Sequence, residues 1–263
     1  MNTNSFITRE GILLDGNSIT QKEAPIHLCR KGKTLHAVIR KSASINPLLS
    51  LIRVIRAFED LIHVTYNQNN KQVEIGPAPS DIICLAIGRF ALLKAEASRQ
   101  KLSQSHLYSS GDAIRHDQSL PDVFRQLIAS HSPSDLTSNT LLKLHNHDLS
   151  GTSFYFSKQT SIFCLGKIPD HYFWPEKILL SNDSVDKENF GQNAEAIMIV
   201  LETALACRTP ILQKGLMKSE NSEVSEFFPF ARLAIPMASI AEQPFNYRVL
   251  TMAIRQSDNA VMV

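Results

Sequence analysis

The sequence Gly76-Pro77-Ala78-Pro79 interrupts the chain between two strongly apolar segments. Proline lacks the backbone N–H that helix interiors and central strands use, so this segment should separate the element before it from the element after it. After the break, Ser80 or Asp81 is a suitable N-cap for a helix predicted over 80–100. Its first two turns are apolar nearly all round, which predicts that this helix is buried.

The segment before the break predicts a hairpin and then another helix. Residues 26–40 alternate apolar and polar side chains around a turn at 30–33 that contains glycine, which is typical of a β-hairpin. Apolar residues then recur with a 3.6-residue period, predicting a helix over 44–66 with Asn46 as N-cap and Pro47 at the first helical position.

Further elements favour an α+β fold. The patterns predict a polar loop or sub-boundary at 101–119, a helix at 120–130, a strand at 140–147, a hairpin of 153–157 with 161–166, and a helix at 193–207. Helices and hairpins in blocks indicate a single α+β domain over 1–263, with a mostly antiparallel sheet and about four substantial helices. The elements of 210–263 are not predicted.

Composition excludes several classes of protein. With 43% hydrophobic and 20% charged residues, the chain can bury a core. A formal charge of +2 does not favour binding nucleic acid by bulk charge. No apolar run approaches the roughly 20 residues of a membrane span, and the start lacks a basic region followed by an apolar stretch. We therefore expect a protein without a transmembrane segment that is cytoplasmic or is delivered without a Sec signal peptide.

The charges are unevenly distributed. Residues 22–56, the basic front, hold eight basic residues and one acid, whereas residues 170–226 hold ten acids and five bases. The basic front could bind an acidic protein partner or an anionic surface. The alternative is a solvated face, or pairing of the two segments within the fold.

Two short segments are candidate binding elements. The cationic turn carries Arg30, Lys31 and Lys33, which could contact anionic groups. The segment 167–175 places Tyr172 and Trp174 beside prolines, and such aromatic residues often anchor protein interfaces. The alternative for this loop is packing onto the core.

The common catalytic signatures are absent. The sequence contains no phosphate-binding loop, dinucleotide fingerprint, serine-nucleophile elbow or zinc-protease helix motif. The four cysteines lie 55, 80 and 43 residues apart, which is not the spacing of a zinc knuckle or a redox dithiol. His145 and His147 could share one face of a strand, but no third ligand is evident. We therefore expect no metal and no cofactor.

A thiol site is the catalytic alternative. Cys84 lies near the start of the predicted helix 80–100, where unpaired N–H groups favour a thiolate. His147 and Asp170 flank the two ends of the predicted 153–166 hairpin, so they could serve as base and orienting group. The order is similar in layout to papain-like thiol enzymes. The competing interpretation is that Cys84, within the apolar sequence IICLAIG, is an inert core residue.

Two hypotheses follow from the sequence. The first is a non-catalytic interaction or assembly protein that uses the basic front and the aromatic segment 167–175 to bind a protein partner or an anionic surface. The alternative is a cytosolic thiol hydrolase, deamidase or acyl transferase with Cys84, His147 and Asp170 as its triad. Exposure of Cys84 separates them, because a nucleophile must reach its substrate.

Overall fold

The computed structural model describes residues 4–16, 24–68, 71–99, 102–109, 153–156, 161–164, 194–218, 227–237 and 248–255. The chain divides into two compact units, Met1–Ala95 and Glu96–Val263. Each unit contains its own sheet.

The first unit is built on a six-stranded mixed sheet. Its elements, in chain order, are β1 (Asn4–Ile7), β2 (Leu13–Asp15), β3 (Ile26–Lys31), β4 (Thr34–Ile39), α1 (Ile45–Arg56), β5 (Leu61–Gln68), β6 (Lys71–Ala78) and α2 (Ser80–Arg99), whose last four residues lie beyond the boundary at Ala95. The strand order is β2-β1-β3-β4-β5-β6, and β4–β5 is the parallel pair because α1 connects them as a crossover.

The predicted hairpin over 26–40 is confirmed. β3 and β4 pair in antiparallel register from Ile26 opposite Ile39 to Lys31 opposite Thr34. Gly32 takes a positive φ of 60° in the two-residue turn, a conformation that costs glycine little because it has no Cβ. The alternation therefore places Leu28 and Ala37 in the core on one face of the sheet.

Helix α1 is shorter than the sequence predicts. It begins at Ile45 after Ser44, whose side chain makes no capping bond, so Asn46 is not the N-cap. It ends at Arg56, and Leu61–Gln68 forms strand β5 instead of continuing the helix to residue 66. The apolar residues of LIHVTYNQ also fit a period of two, and pairing with β4 buries Ile62 and Val64. Sheet pairing therefore decides between two periodicities that the sequence alone permits.

Helix α2 confirms the predicted 80–100 element within one residue. Its burial is one-sided, however, so the expectation of a fully buried helix is wrong. Ile83, Ile87 and Ala91 are buried, whereas Ile82 and Leu93 are exposed. One face of the helix suffices to cover its neighbours in the first unit, and the apolar residues on the other face contact solvent.

The second unit contains a six-stranded antiparallel sheet of order β7-β10-β11-β12-β8-β9. Its elements are β7 (Leu102–Ser109), β8 (Ser153–Phe156), β9 (Ser161–Cys164), α3 (Ala194–Cys207), β10 (Ile211–Lys218), β11 (Phe227–Met237) and β12 (Arg248–Arg255). Helix α3 packs against β10, β11 and β12. The predicted 153–166 hairpin and the predicted 193–207 helix are thus confirmed.

Strand β7 corrects the predicted loop at 101–119 for the residues Leu102–Ser109. The segment is polar in composition, but Leu107 and Ser105 are buried while His106 is exposed, as in an edge strand. It pairs with β10, which lies about a hundred residues further along the chain and supplies the partner that local sequence does not reveal. The remaining residues of this predicted loop lie outside the described part of the chain.

The fold class and the mainly antiparallel pairing are confirmed. Three helices lie within the described ranges, against the predicted count of about four. The predicted helix at 120–130 and strand at 140–147 lie outside those ranges. The single domain stays a prediction. The sequence predicts a sub-boundary at 101–119, whereas the two compact units meet in sequence between Ala95 and Glu96.

Candidate functional site

The three basic residues of the cationic turn between β3 and β4 have two different environments. The Arg30 Nη2 lies 2.9 Å from Asp60 Oδ2, and its guanidinium lies 5.1 Å from the ring centroid of Phe58. Arg30 Nε also donates a hydrogen bond of 3.3 Å to the carbonyl of Gly32 within the turn. Arg30 therefore anchors the turn to the α1–β5 connection, and its charge is balanced by Asp60.

Lys31 and Lys33 are exposed at the tip of this anchored turn. Neither lysine has an ion pair with any residue in the described ranges. An anchored backbone loses little further entropy when a ligand binds its side chains. The turn therefore presents two available cations in a fixed place.

The basic front of the sequence does not form one continuous patch. Arg40 and Lys41 are exposed at the opposite end of β4 from Lys33. A strand of this length spans about 20 Å, which is well beyond a Debye length at physiological salt. Arg53 and Arg56 lie in the last turn of α1, at the end of the crossover that approaches the cationic turn.

Strands β3, β4 and β5 carry a second set of side chains that alternate with the buried ones, and β6 continues the same face of the sheet. This open face includes His27, Cys29, Lys31, Thr34, His36, Val38, Leu61, His63, Thr65 and Glu74. Val38 and Leu61 are 44% and 45% exposed. The Lys31 end of the open face is continuous with the cationic turn, so cationic and apolar groups share one surface.

A pair of histidines occupies the centre of the open face. His36 on β4 and His63 on β5 are direct cross-strand partners, and their ring centroids lie 5.3 Å apart at an interplanar angle of 71°. His63 Nε2 lies 3.8 Å from Glu74 Oε2. Desolvation, together with the charges of Lys31 and His63, lowers the pKa of His36 below its usual value. Sequence reasoning missed this pair because the two residues belong to different elements.

The row Cys29–His36–His63 has the residue types of a metal site but not its geometry. The three residues are in register on adjacent strands. Across the described ranges, no three His, Cys, Asp or Glu side chains converge closely enough to bind a metal ion. The open face is therefore interpreted as a protein surface.

The proposed nucleophile Cys84 is sealed in the first unit. Its side chain is fully buried between α2 and α1, and its Sγ lies 3.9 Å from the carbonyl oxygen of Ile52, to which it donates. A thiol in this position has no access to a substrate in the native fold. His147 and Asp170 lie outside the described ranges, so the triad as a whole stays a prediction. The same holds for Tyr172, Trp174 and the 167–175 segment.

The second unit buries a polar group that sequence analysis did not single out. Arg232 on β11 is 3% exposed, and its Nη1 donates a hydrogen bond of 3.0 Å to Oε1 of the facing Gln213. Burial lowers the pKa of Arg232 to about 10. Among the described residues, neither the Nε of Arg232 nor the Nε2 of Gln213 has a hydrogen-bond partner. The signal in the sequence is an arginine inside the apolar strand FFPFARLAIPM.

Comparison with known proteins finds no family model, no curated protein and no solved structure that matches this chain. Within the described ranges, neither α2 nor any other helix combines the length and hydropathy needed to cross a bilayer. The function is therefore inferred from the residues themselves.

Proposed function

We propose that this protein is a non-catalytic interaction protein whose first unit binds an acidic segment of a protein partner. The binding surface consists of the cationic turn and the adjoining Lys31 end of the open face. The observation that carries the proposal is the pair of exposed lysines, Lys31 and Lys33, on a turn that Arg30 anchors.

The chemistry of this surface favours a protein partner over a small ligand. Lys31 and Lys33 offer two compact charges that attract carboxylates without requiring one fixed geometry. Leu61, the cross-strand partner of Thr34, adds apolar area at the Lys31 end of the same face. A partner with carboxylates beside apolar side chains complements both, and the charges also speed its association.

The burial of Cys84 supports a binding role over a thiol enzyme. A nucleophile has to contact its substrate, whereas Cys84 is enclosed and its thiol contacts a helix carbonyl. No other cysteine of the first unit lies at a helix terminus; Cys29 lies within β3. A surface role therefore needs no rearrangement of the core, whereas catalysis by Cys84 does.

A charge-reversal experiment tests the proposal with a matched control. The probe is a fluorescein-labelled aspartate decamer, and its binding to the full chain is followed by anisotropy at low salt. We expect Lys31→Glu/Lys33→Glu to weaken binding about tenfold or more, because two attractive contacts become repulsive. The control Arg40→Glu/Lys41→Glu makes the same change in net charge at the other end of β4 and should have much less effect.

The outcomes separate the alternatives. Equal losses in both variants would mean that only net charge attracts the peptide, which would refute a defined surface. Binding to vesicles of phosphatidylserine that exceeds binding to the peptide, with the same dependence on Lys31 and Lys33, would identify an anionic membrane as the partner instead. If the unmodified protein does not bind the aspartate decamer or the vesicles, the proposal is refuted.

A further inference from the structure

We propose that the histidine pair His36–His63 links partner binding at the open face to proton uptake, so that acidic segments bind more tightly as the pH falls from about 7.5 to about 5.5. This inference rests on the proposed function, because it concerns regulation of the same surface.

The two histidines are arranged so that they share their electrostatic environment. They are cross-strand neighbours on β4 and β5, with ring centroids 5.3 Å apart in an edge-to-face contact. At this separation, two imidazolium charges repel each other. A proton on His63 therefore opposes a proton on His36.

Other charged and titratable groups of the described strands reach the pair from both sides. From β3, Lys31 opposes a proton on His36, and Cys29 and His27 lie on the same face. From β6, Glu74 lies 3.8 Å from His63, where it would form an ion pair with the protonated ring. Glu74 also accepts a hydrogen bond of 2.7 Å from Gln72, which positions its carboxylate.

Lys31 is the residue that couples the pair to a partner. Its positive charge is one of the causes that keep the His36 proton affinity low. A partner carboxylate bound at Lys31 cancels part of that charge, so His36 binds a proton more readily in the complex than in the unoccupied protein. Linkage is reciprocal: if the partner promotes protonation, then protonation promotes binding of the partner by the same factor.

The test measures affinity for the aspartate decamer as a function of pH in the full chain. The unmodified protein should bind at least about fivefold more tightly at the acidic end of the range. His36→Gln/His63→Gln keeps polar side chains on this face but cannot gain a proton, and it should change less than about twofold. Measuring both proteins at each pH cancels any titration of the peptide itself.

The binding measurements distinguish a failure of the proton linkage from a failure of the proposed function. If the decamer binds and depends on Lys31 and Lys33, but the pH dependence is the same with and without the histidines, the proton linkage is refuted and the surface survives. If the decamer does not bind at any pH, both are refuted.

A measurement without ligand tests the coupling directly. The imidazole resonances of His36 can be titrated by NMR in the unmodified protein and in Lys31→Gln. We expect the midpoint to move to higher pH in the variant, because a positive neighbour is removed. An unchanged midpoint would refute the link between Lys31 and the pair. Gln at the exposed position 31 should leave the fold unchanged, which a thermal melt would verify.

Discussion

Along β3 and β4, buried residues alternate with exposed or half-buried ones, whereas on β11 the residues from Phe230 to Ile235 are buried one after another. The first pattern is that of a sheet with one face on the core. The second is that of a sheet covered on both faces. The first unit therefore has a sheet surface available for binding, and the described strand β11 of the second unit does not.

Two arginines show what this difference means for charged groups. Arg30 has a side chain that is 49% exposed, with Asp60 as its counter-ion and the Phe58 ring beneath it. Arg232 is 3% exposed, with a neutral amide as its hydrogen-bond partner. The surface arginine fixes a loop at little energetic cost, while the buried one carries a desolvation cost that its partner only partly offsets.

The largest expected contrast is in cysteine reactivity. Iodoacetamide labelling of the native protein should modify Cys29, on the open face, about a hundredfold faster or more than Cys84 or Cys207, which react only after the fold opens. Mass spectrometry assigns the modified residues. Rapid native labelling of Cys84 would contradict its burial and restore the thiol-enzyme alternative.

The next contrast concerns the buried arginine. Arg232→Ala should lower the free energy of unfolding by about 3 kcal/mol or more, since it leaves a cavity and an unsatisfied Gln213 oxygen. Arg232→Met fills most of the same space without a charge and should be close to neutral or stabilising. Urea unfolding measures both, with Arg30→Met as the surface control at less than about 1 kcal/mol. Equal effects at positions 30 and 232 would show that the two environments are not distinct.

A smaller effect is expected at Lys94 on α2. Its Nζ donates hydrogen bonds of 3.1 Å and 2.8 Å to the carbonyls of Lys41 and Ala43, which hold the β4–α1 connection. Lys94→Met removes both donors and should cost about 1–2 kcal/mol in urea unfolding. The control Lys33→Met, at the exposed tip, should leave stability nearly unchanged. An effect of similar size in the control would show that the two bonds contribute nothing.

The sequence predicts local features of the first unit better than contacts between distant residues. The hairpin over 26–40 follows from the alternation of apolar and polar residues around Gly32. The ion pair of Arg30 joins residues 30 positions apart, so the local pattern shows a cation but not its partner. His36 and His63 meet only because β4 and β5 are parallel neighbours, which the predicted helix over 44–66 had excluded. Strand β7 likewise depends on a distant partner strand.

The smallest expected effect is the dependence of stability on His36. Because its pKa is lowered in the folded state, the unfolded chain binds the proton more readily, and stability should fall as the pH decreases through about 6.5. His36→Gln should remove part of this loss, an effect below about 1 kcal/mol. The measurement is the urea midpoint at several pH values, compared with His106→Gln at an exposed position of β7. Identical pH profiles for the two variants would contradict the assignment.

The central claim is that the cationic turn and the open face form the binding surface of the first unit. Amide chemical-shift mapping with the aspartate decamer tests it most directly, because the shifts report where the peptide binds. We predict the largest changes at Lys31, Gly32 and Lys33, extending to His36 and His63. Changes concentrated around Arg40 and Lys41, or in the second unit, would contradict the account.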